Sequence, residues 1–104
     1  MVRAIATVLA RELRVEGPSM LPTLVPGESV VAYRRWRPLR VGDVVALRDP
    51  RNRERWLIKR VAALSRAGVE VRGDNEKYSE DSRAFGMVSR RAITWVVPPS
   101  SLRH

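Results

Sequence analysis

Ser19 sits in the segment Gly17-Pro18-Ser19-Met20-Leu21-Pro22-Thr23-Leu24, and Lys59 follows forty residues later in Trp56-Leu57-Ile58-Lys59-Arg60-Val61. A serine hydroxyl becomes a useful nucleophile only beside a base, and this chain has few. Its single histidine is His104, the last residue, and it has no cysteine, so neither a serine-histidine-aspartate triad nor a thiolate nucleophile is available. Lysine occurs only at positions 59 and 77, and the other eighteen basic residues are arginines. Arginine stays protonated near neutrality, whereas a desolvated lysine can accept a proton.

Each segment has local chemistry that fits a site and equally fits plain structure. Pro18 and the turn-forming Met20-Leu21-Pro22 hold Ser19 in an extended or turn conformation with its hydroxyl presented, which is also ordinary turn chemistry. Side chains alternate along a strand, so Leu57, Lys59 and Val61 share one face and the ammonium is drawn out of water. An unperturbed lysine has a pKa of about 10.4, and a base near neutrality needs about 7 to 8. Burial and a cationic neighbour such as Arg60 supply that kind of drop. A strand lysine also serves simply as an apolar stem whose head reaches water. A third segment, Gly73 to Gly86, is dense in turn formers and contains Asp74, Asn75, Ser79, Asp81 and Arg83. It reads either as a solvated loop or as a set of hydroxyls and charges that orient a buried amine.

The elements that must position these groups are short. At 104 residues the chain fits one domain, 1–104, with a core that must hold without disulfides. Ile5, Val8, Leu9 and Leu13 fall at helical spacing and predict a short amino-terminal helix. Thereafter glycine, proline and β-branched runs predict strands over 29–33, 43–47, 56–64, 69–72 and 92–97. The fold class is mainly β, a small twisted sheet or partly open barrel with that short helix.

Composition excludes more than it assigns. The net charge of +9 could serve nucleic acid or an anionic surface, yet the arginines are spread along the chain without a recognition motif. No nucleic-acid partner is expected, and a noncatalytic basic module stands as the contrasting class. The apolar run Ala4 to Ala10 is seven residues long, against the roughly 20 of a spanning helix, and Arg11, Glu12 and Arg14 follow where a secretory cleavage site would fall. The expectation is no transmembrane segment and a cytoplasmic location, with peripheral membrane contact as the alternative. No metal or other cofactor is expected.

Taken in order, the three segments resemble the boxes of the signal peptidase I family of serine-lysine endopeptidases, over roughly Val15 to Val97. Ser19-Met20-Leu21-Pro22-Thr23-Leu24 is similar to the nucleophile box, Lys59-Arg60-Val61 to the general-base box, and Gly73-Asp74-Asn75 through Ser79, Asp81, Ser82, Arg83 and Gly86 to the final box. Three ordered boxes are far more specific than any one. The resemblance implies that Ser19 attacks the scissile carbonyl and that neutral Lys59 takes its proton. It implies that Ser79 orients the lysine and that Asp81 and Arg83, with Gly73, Asp74 and Asn75, support the site. Met20 and Pro22 would meet substrate. The Ser19 amide would serve the oxyanion hole, with Gly17 where many Gram-negative members carry a second serine.

Only thirteen residues separate Lys59 from Gly73, which leaves no room for the inserted β-domain of many secretory members, and no anchor precedes Ser19. This small form is similar to the nickel-type superoxide dismutase maturation peptidases of the family. The expected partner is a precursor protein, with a nickel superoxide dismutase precursor first and secretory precursors at a membrane second. A self-cleaving repressor-like core uses the same residue types, but the chain lacks a helix-turn-helix and a cleavage loop. Oligomeric state is left open.

Overall fold

The computed structural model describes residues 9–102. Six strands form one antiparallel sheet: β1 (Ala10–Arg14), β2 (Ser29–Arg34), β3 (Val44–Asp49), β4 (Asn52–Ser65), β5 (Gly68–Arg72) and β6 (Trp95–Val97). Their spatial order is β1-β2-β6-β3-β4-β5, so the short β6 is inserted between β2 and β3. The mainly β fold expected from the turn and strand signals is the one observed. Helix is confined, among the described residues, to one turn, α1 (Ser82–Phe85), and three single 3-10 turns.

Strand periodicity separates two cores. Leu13, Val30, Ala32, Val44, Ala46, Trp95 and Val97 point to one face, where Met20 and Leu24 pack on them. Val45, Leu47, Leu57, Val61, Val69, Val71 and Val96 point to the other, joined by Leu39, Val88 and Ile93. Central β3 serves both, which explains its unbroken apolar run Val44 to Leu47: a strand covered on both faces cannot alternate with polar residues. The first face is concave. Three strands lie between β1 and β4 in the sheet, yet the Arg11 guanidinium of β1 lies 4.9 Å from the Trp56 ring centroid of β4. The sheet therefore coils on itself, as strongly twisted sheets do, and leaves a groove between β1 and β4.

The predicted amino-terminal helix is overturned where it can be seen. Ile5 and Val8 lie outside the described residues, but Ala10–Arg14 is a strand paired with β2 from Ala10↔Tyr33 to Arg14↔Ser29. Leu13 and Val15 are two apart and both buried, a period-2 signal hidden beneath the helical spacing. A helix this short is marginal in water, whereas pairing with β2 satisfies one side of the backbone along the whole segment. The sixth strand of the sheet is this one. The expected strand over 92–97 is shorter than predicted, because Arg90–Ala92 forms a 3-10 turn whose Ser89 side chain accepts a hydrogen bond from the Arg91 amide.

The turn that carries Ser19 is tied to the concave core. The Leu21 amide donates to the Pro18 carbonyl at 3.1 Å and the Leu24 amide to the Met20 carbonyl at 3.0 Å, while Met20 and Leu24 are 1% and 0% exposed. Leu24→Ala should cost about 2–5 kcal/mol, the range for emptying a closed core site. Urea unfolding followed by circular dichroism should show a lower midpoint with an unchanged slope.

Candidate active site

Ser19 and Lys59 line the same groove, a cleft of about 710 Å³ between β1 and β4 whose walls also include Gly17, Met20, Tyr78 and Glu80. Strand alternation places Lys59 as expected: Leu57, Lys59 and Val61 are 6%, 3% and 1% exposed. Removing an ammonium from water disfavours its charge, so burial is the largest influence on Lys59 and lowers its pKa. Asp81 opposes this, and nearby Arg55 reinforces it. Arg60, the neighbour expected to do this work, does not. It points to the other side of β4 and is held by Asp74, with Nε and Nη2 each donating at 2.8 Å. The reason is the same alternation that buries Lys59: consecutive strand residues face opposite ways.

Ser79 is the hub of the polar network. A hydroxyl has one proton and two lone pairs, and here each is used. The proton goes to Asp81 Oδ2 at 2.9 Å, and the oxygen accepts from Lys59 Nζ at 2.9 Å and from the Gly73 amide at 3.1 Å. With its proton committed to Asp81, Ser79 can only accept from the lysine. A neutral Lys59 thus spends an N–H on Ser79 and keeps its lone pair for another direction. No hydrogen bond joins Ser19 Oγ to Lys59 Nζ among the described residues.

Asp81 is fully buried and its charge is compensated several times over. Burial alone would raise its pKa, but hydrogen bonds from the Arg83 side chain, the Arg83 and Gly73 amides and Ser79 outweigh it and hold the carboxylate far below its usual range. The pair Asp81–Arg83 is joined at 2.9 Å, with Arg83 at the surface.

The segment Gly73-Asp74-Asn75 fastens the Ser19 turn to this network. The Asn75 amide donates to the Ser19 carbonyl at 2.8 Å, and Asn75 Nδ2 donates to the Pro18 carbonyl at 3.0 Å. Thr23 Oγ1 donates to Asp74 Oδ2, which Arg60 also holds. Sequence reasoning missed Thr23, Arg55 and the bracing role of Arg60. Thr23 and Arg60 both meet Asp74, which is remote from them in sequence, whereas Arg55 precedes Lys59 by two strand periods on β4. Gly17 has φ of 72°, a conformation suited to glycine, and stands on the groove rim. Met20 is buried beneath the groove, whereas Pro22 is exposed and outside its lining.

Gly73 is packed where three of these parts meet. A Cβ there would lie 2.2 Å from Ser79 Oγ and 2.6 Å from the Ser19 carbonyl oxygen, closer than any real contact. Gly73→Ala should destabilise the fold by about 1–3 kcal/mol through overpacking and displace Ser19 from Ser79. Thermal denaturation and the chemical shift of the Lys59 ammonium group measure the two effects. Acid stability follows from Asp81. Its folded pKa is depressed, so its contribution is complete above the unfolded value of about 3.9 and is lost as pH falls through the folded value. Asp81→Asn should therefore flatten the acid limb of the stability profile measured by urea titration below about pH 4.

Residues 1–73 match the family described as signal peptidase, peptidase S26. The match includes the Ser19 and Lys59 segments and ends at Gly73, so Ser79, Asp81 and Arg83 lie beyond it. Mitochondrial inner membrane protease subunit 2 of Mus musculus is 38% identical over 101 residues, covering 73% of this chain and 58% of that protein. The Homo sapiens protein of the same name gives the same identity and coverage. Mitochondrial ATP-independent inner membrane protease subunit 1a of Arabidopsis thaliana is 32% identical over 116 residues, covering 82% of this chain and 69% of that protein. The chain thus spans a little over half the length of the two mammalian relatives. With its six-stranded coiled sheet and a family match across more than two thirds of its residues, the chain belongs to the signal peptidase family, peptidase S26.

Proposed function

We propose that residues 1–104 form one catalytic unit, a serine-lysine endopeptidase that removes an amino-terminal extension from a precursor protein at a membrane. The observation that carries the reading is the buried Lys59 amine held by Ser79 in the groove that also contains Ser19. Ser19 Oγ attacks the scissile carbonyl carbon while its proton passes to the Lys59 lone pair. The oxyanion that forms is met by the Ser19 amide on the Gly17 side of the groove, where Pro18 has no N–H to offer. Collapse of the tetrahedral intermediate breaks the C–N bond, and Lys59 returns the proton to the leaving amine. Water then attacks the acyl-serine, with Lys59 again as base.

Substrate would enter as an extended strand. β1 is an edge strand, and residues Glu12 to Glu16 run along the groove, so a peptide can add to the sheet there and present its carbonyl to Ser19. The named relatives, inner membrane proteases, favour a membrane precursor over the nickel superoxide dismutase precursor that the short spacing after Lys59 suggests. They likewise favour a membrane-associated location over a free cytoplasmic one. No helix among the described residues is long and apolar enough to cross a membrane.

Ser19→Ala should abolish precursor cleavage. Lys59→Ala should lower it by about 10²–10⁴-fold, the contribution of a general base. Lys59→Arg should be equally inactive because guanidinium does not give up its proton. Activity of the wild type should rise with pH through the depressed Lys59 pKa. Mass spectrometry of candidate precursors incubated with wild type and Ser19→Ala reads the bond cut. A fully active Lys59→Ala protein would overturn the mechanism, and cleavage of a nickel superoxide dismutase precursor in preference to a membrane precursor would overturn the substrate order.

A further inference from the structure

At one end of the coiled sheet the inward-facing positions change from apolar to cationic. On β1 the change runs from Leu13 to Arg11, on β2 from Ala32 to Arg34, and on β3 from Ala46 to Arg48. These three arginines, with Arg53 of β4 and Arg91, surround Trp56 and Trp95 in a second concavity of about 340 Å³. No acidic residue lines it. Among the described residues no carboxylate lies within ion-pair distance of Arg11, Arg48, Arg53 or Arg91. The concavity lies outside the Ser79 network and is joined to the active-site groove only through Trp56, which lines both.

The guanidinium groups are pre-set by the tryptophans. Arg48 and Arg11 lie 4.3 and 4.9 Å from the Trp56 ring centroid, and Arg34 and Arg11 lie 5.1 and 5.3 Å from that of Trp95. A guanidinium over an aromatic face gains cation-π attraction and keeps its in-plane N–H groups for another acceptor. We infer that this arginine-tryptophan end binds the phosphate headgroup of an anionic phospholipid, and so seats the protein on an anionic membrane surface.

The geometry of the concavity favours lipid over nucleic acid for a physical reason. Single-stranded nucleic acid gains its affinity by stacking bases on aromatic faces, and here each of the two indoles already has two guanidinium groups over its ring. The rim is also apolar. Leu9, 63% exposed, accepts a backbone hydrogen bond from Arg34, and Trp36, 60% exposed, follows Arg35, whose amide donates to Thr94 in the lining. Phosphate-binding donors flanked by exposed leucine and tryptophan suit an amphiphile, whose headgroup and acyl boundary lie side by side. The apolar run Ala4 to Ala10 leads in sequence directly into Arg11.

The test is cosedimentation of the full chain with vesicles of phosphatidylcholine alone or mixed with phosphatidylglycerol. Binding should require phosphatidylglycerol. Each arginine near such a surface contributes about fivefold to partitioning, so Arg53→Gln/Arg91→Gln should lose on the order of 25-fold while near-ultraviolet circular dichroism is unchanged. Equal binding to both vesicles, or an unaffected double variant, overturns the inference. So does displacement by inorganic phosphate at matched phosphorus concentration, which marks a free-phosphate site, or displacement by a single-stranded oligonucleotide. If the double variant fails to fold, wild-type tryptophan fluorescence decides: quenching by brominated phosphatidylglycerol supports the inference, and its absence overturns it. All readouts are independent of peptidase activity, so they stand or fall apart from the proposed reaction.

Discussion

A hydroxyl has one proton to give, and the polar interior of this protein is arranged around where Ser79 gives it. Asp81 takes the proton, and the remaining lone pairs accept from Gly73 and Lys59. That direction holds only while Asp81 is ionised, and Arg83 together with two backbone amides keeps it so in a site that water does not reach. A neutral acid would itself donate, and the order of the chain would be lost. The network therefore holds the amine through a neutral oxygen: burial lowers the pKa of Lys59, and Asp81, which opposes this, is kept one hydroxyl away.

Arginine and lysine divide the work accordingly. The forked guanidinium is suited to clamp carboxylates, and Arg60 on Asp74 and Arg37 on Asp43 do so with paired bonds of 2.8–2.9 Å. The first clamp braces the Ser19 turn through Asp74 and Thr23 and the second braces the connection between β2 and β3, neither competing for a transferable proton. Of the chain's two lysines, Lys59 is buried in the interior, where desolvation lowers its pKa. Burial is the first influence that lowers the pKa of this amine, and Arg55 adds to it against the opposing pull of Asp81.

Strands with clear period-2 or fully apolar runs were legible from sequence, as were the face shared by Leu57, Lys59 and Val61 and the pairing of Asp81 with Arg83. The misreadings arose where two periods coincide or where the partner is remote. Leu9 and Leu13 fit a helix, while Leu13 and Val15 fit a strand, and only the free edge of β2 decides between them. Adjacency in sequence suggests that Arg60 acts on Lys59, although strand geometry sends it to Asp74. The close approach of Gly73 to the Ser19 carbonyl joins residues more than fifty positions apart. Such a contact is set by the coil of the sheet, and no local pattern encodes it.

That coil also relates the groove to the arginine end. A flat sheet with this strand order would hold β1 and β4 far apart. Once coiled, the two strands form the walls of the groove, and Arg11 reaches the Trp56 ring across it. Trp56 then serves both places, with the groove along one side and guanidinium groups over its ring. A surface that engaged those arginines would lie beside the open end of the groove, and an extended segment leaving that surface would meet the free edge of β1 first. Holding a substrate and a surface in one frame would lower the entropic cost of bringing them together, and the long strand β4 places Trp56 at the junction of the two proposed places.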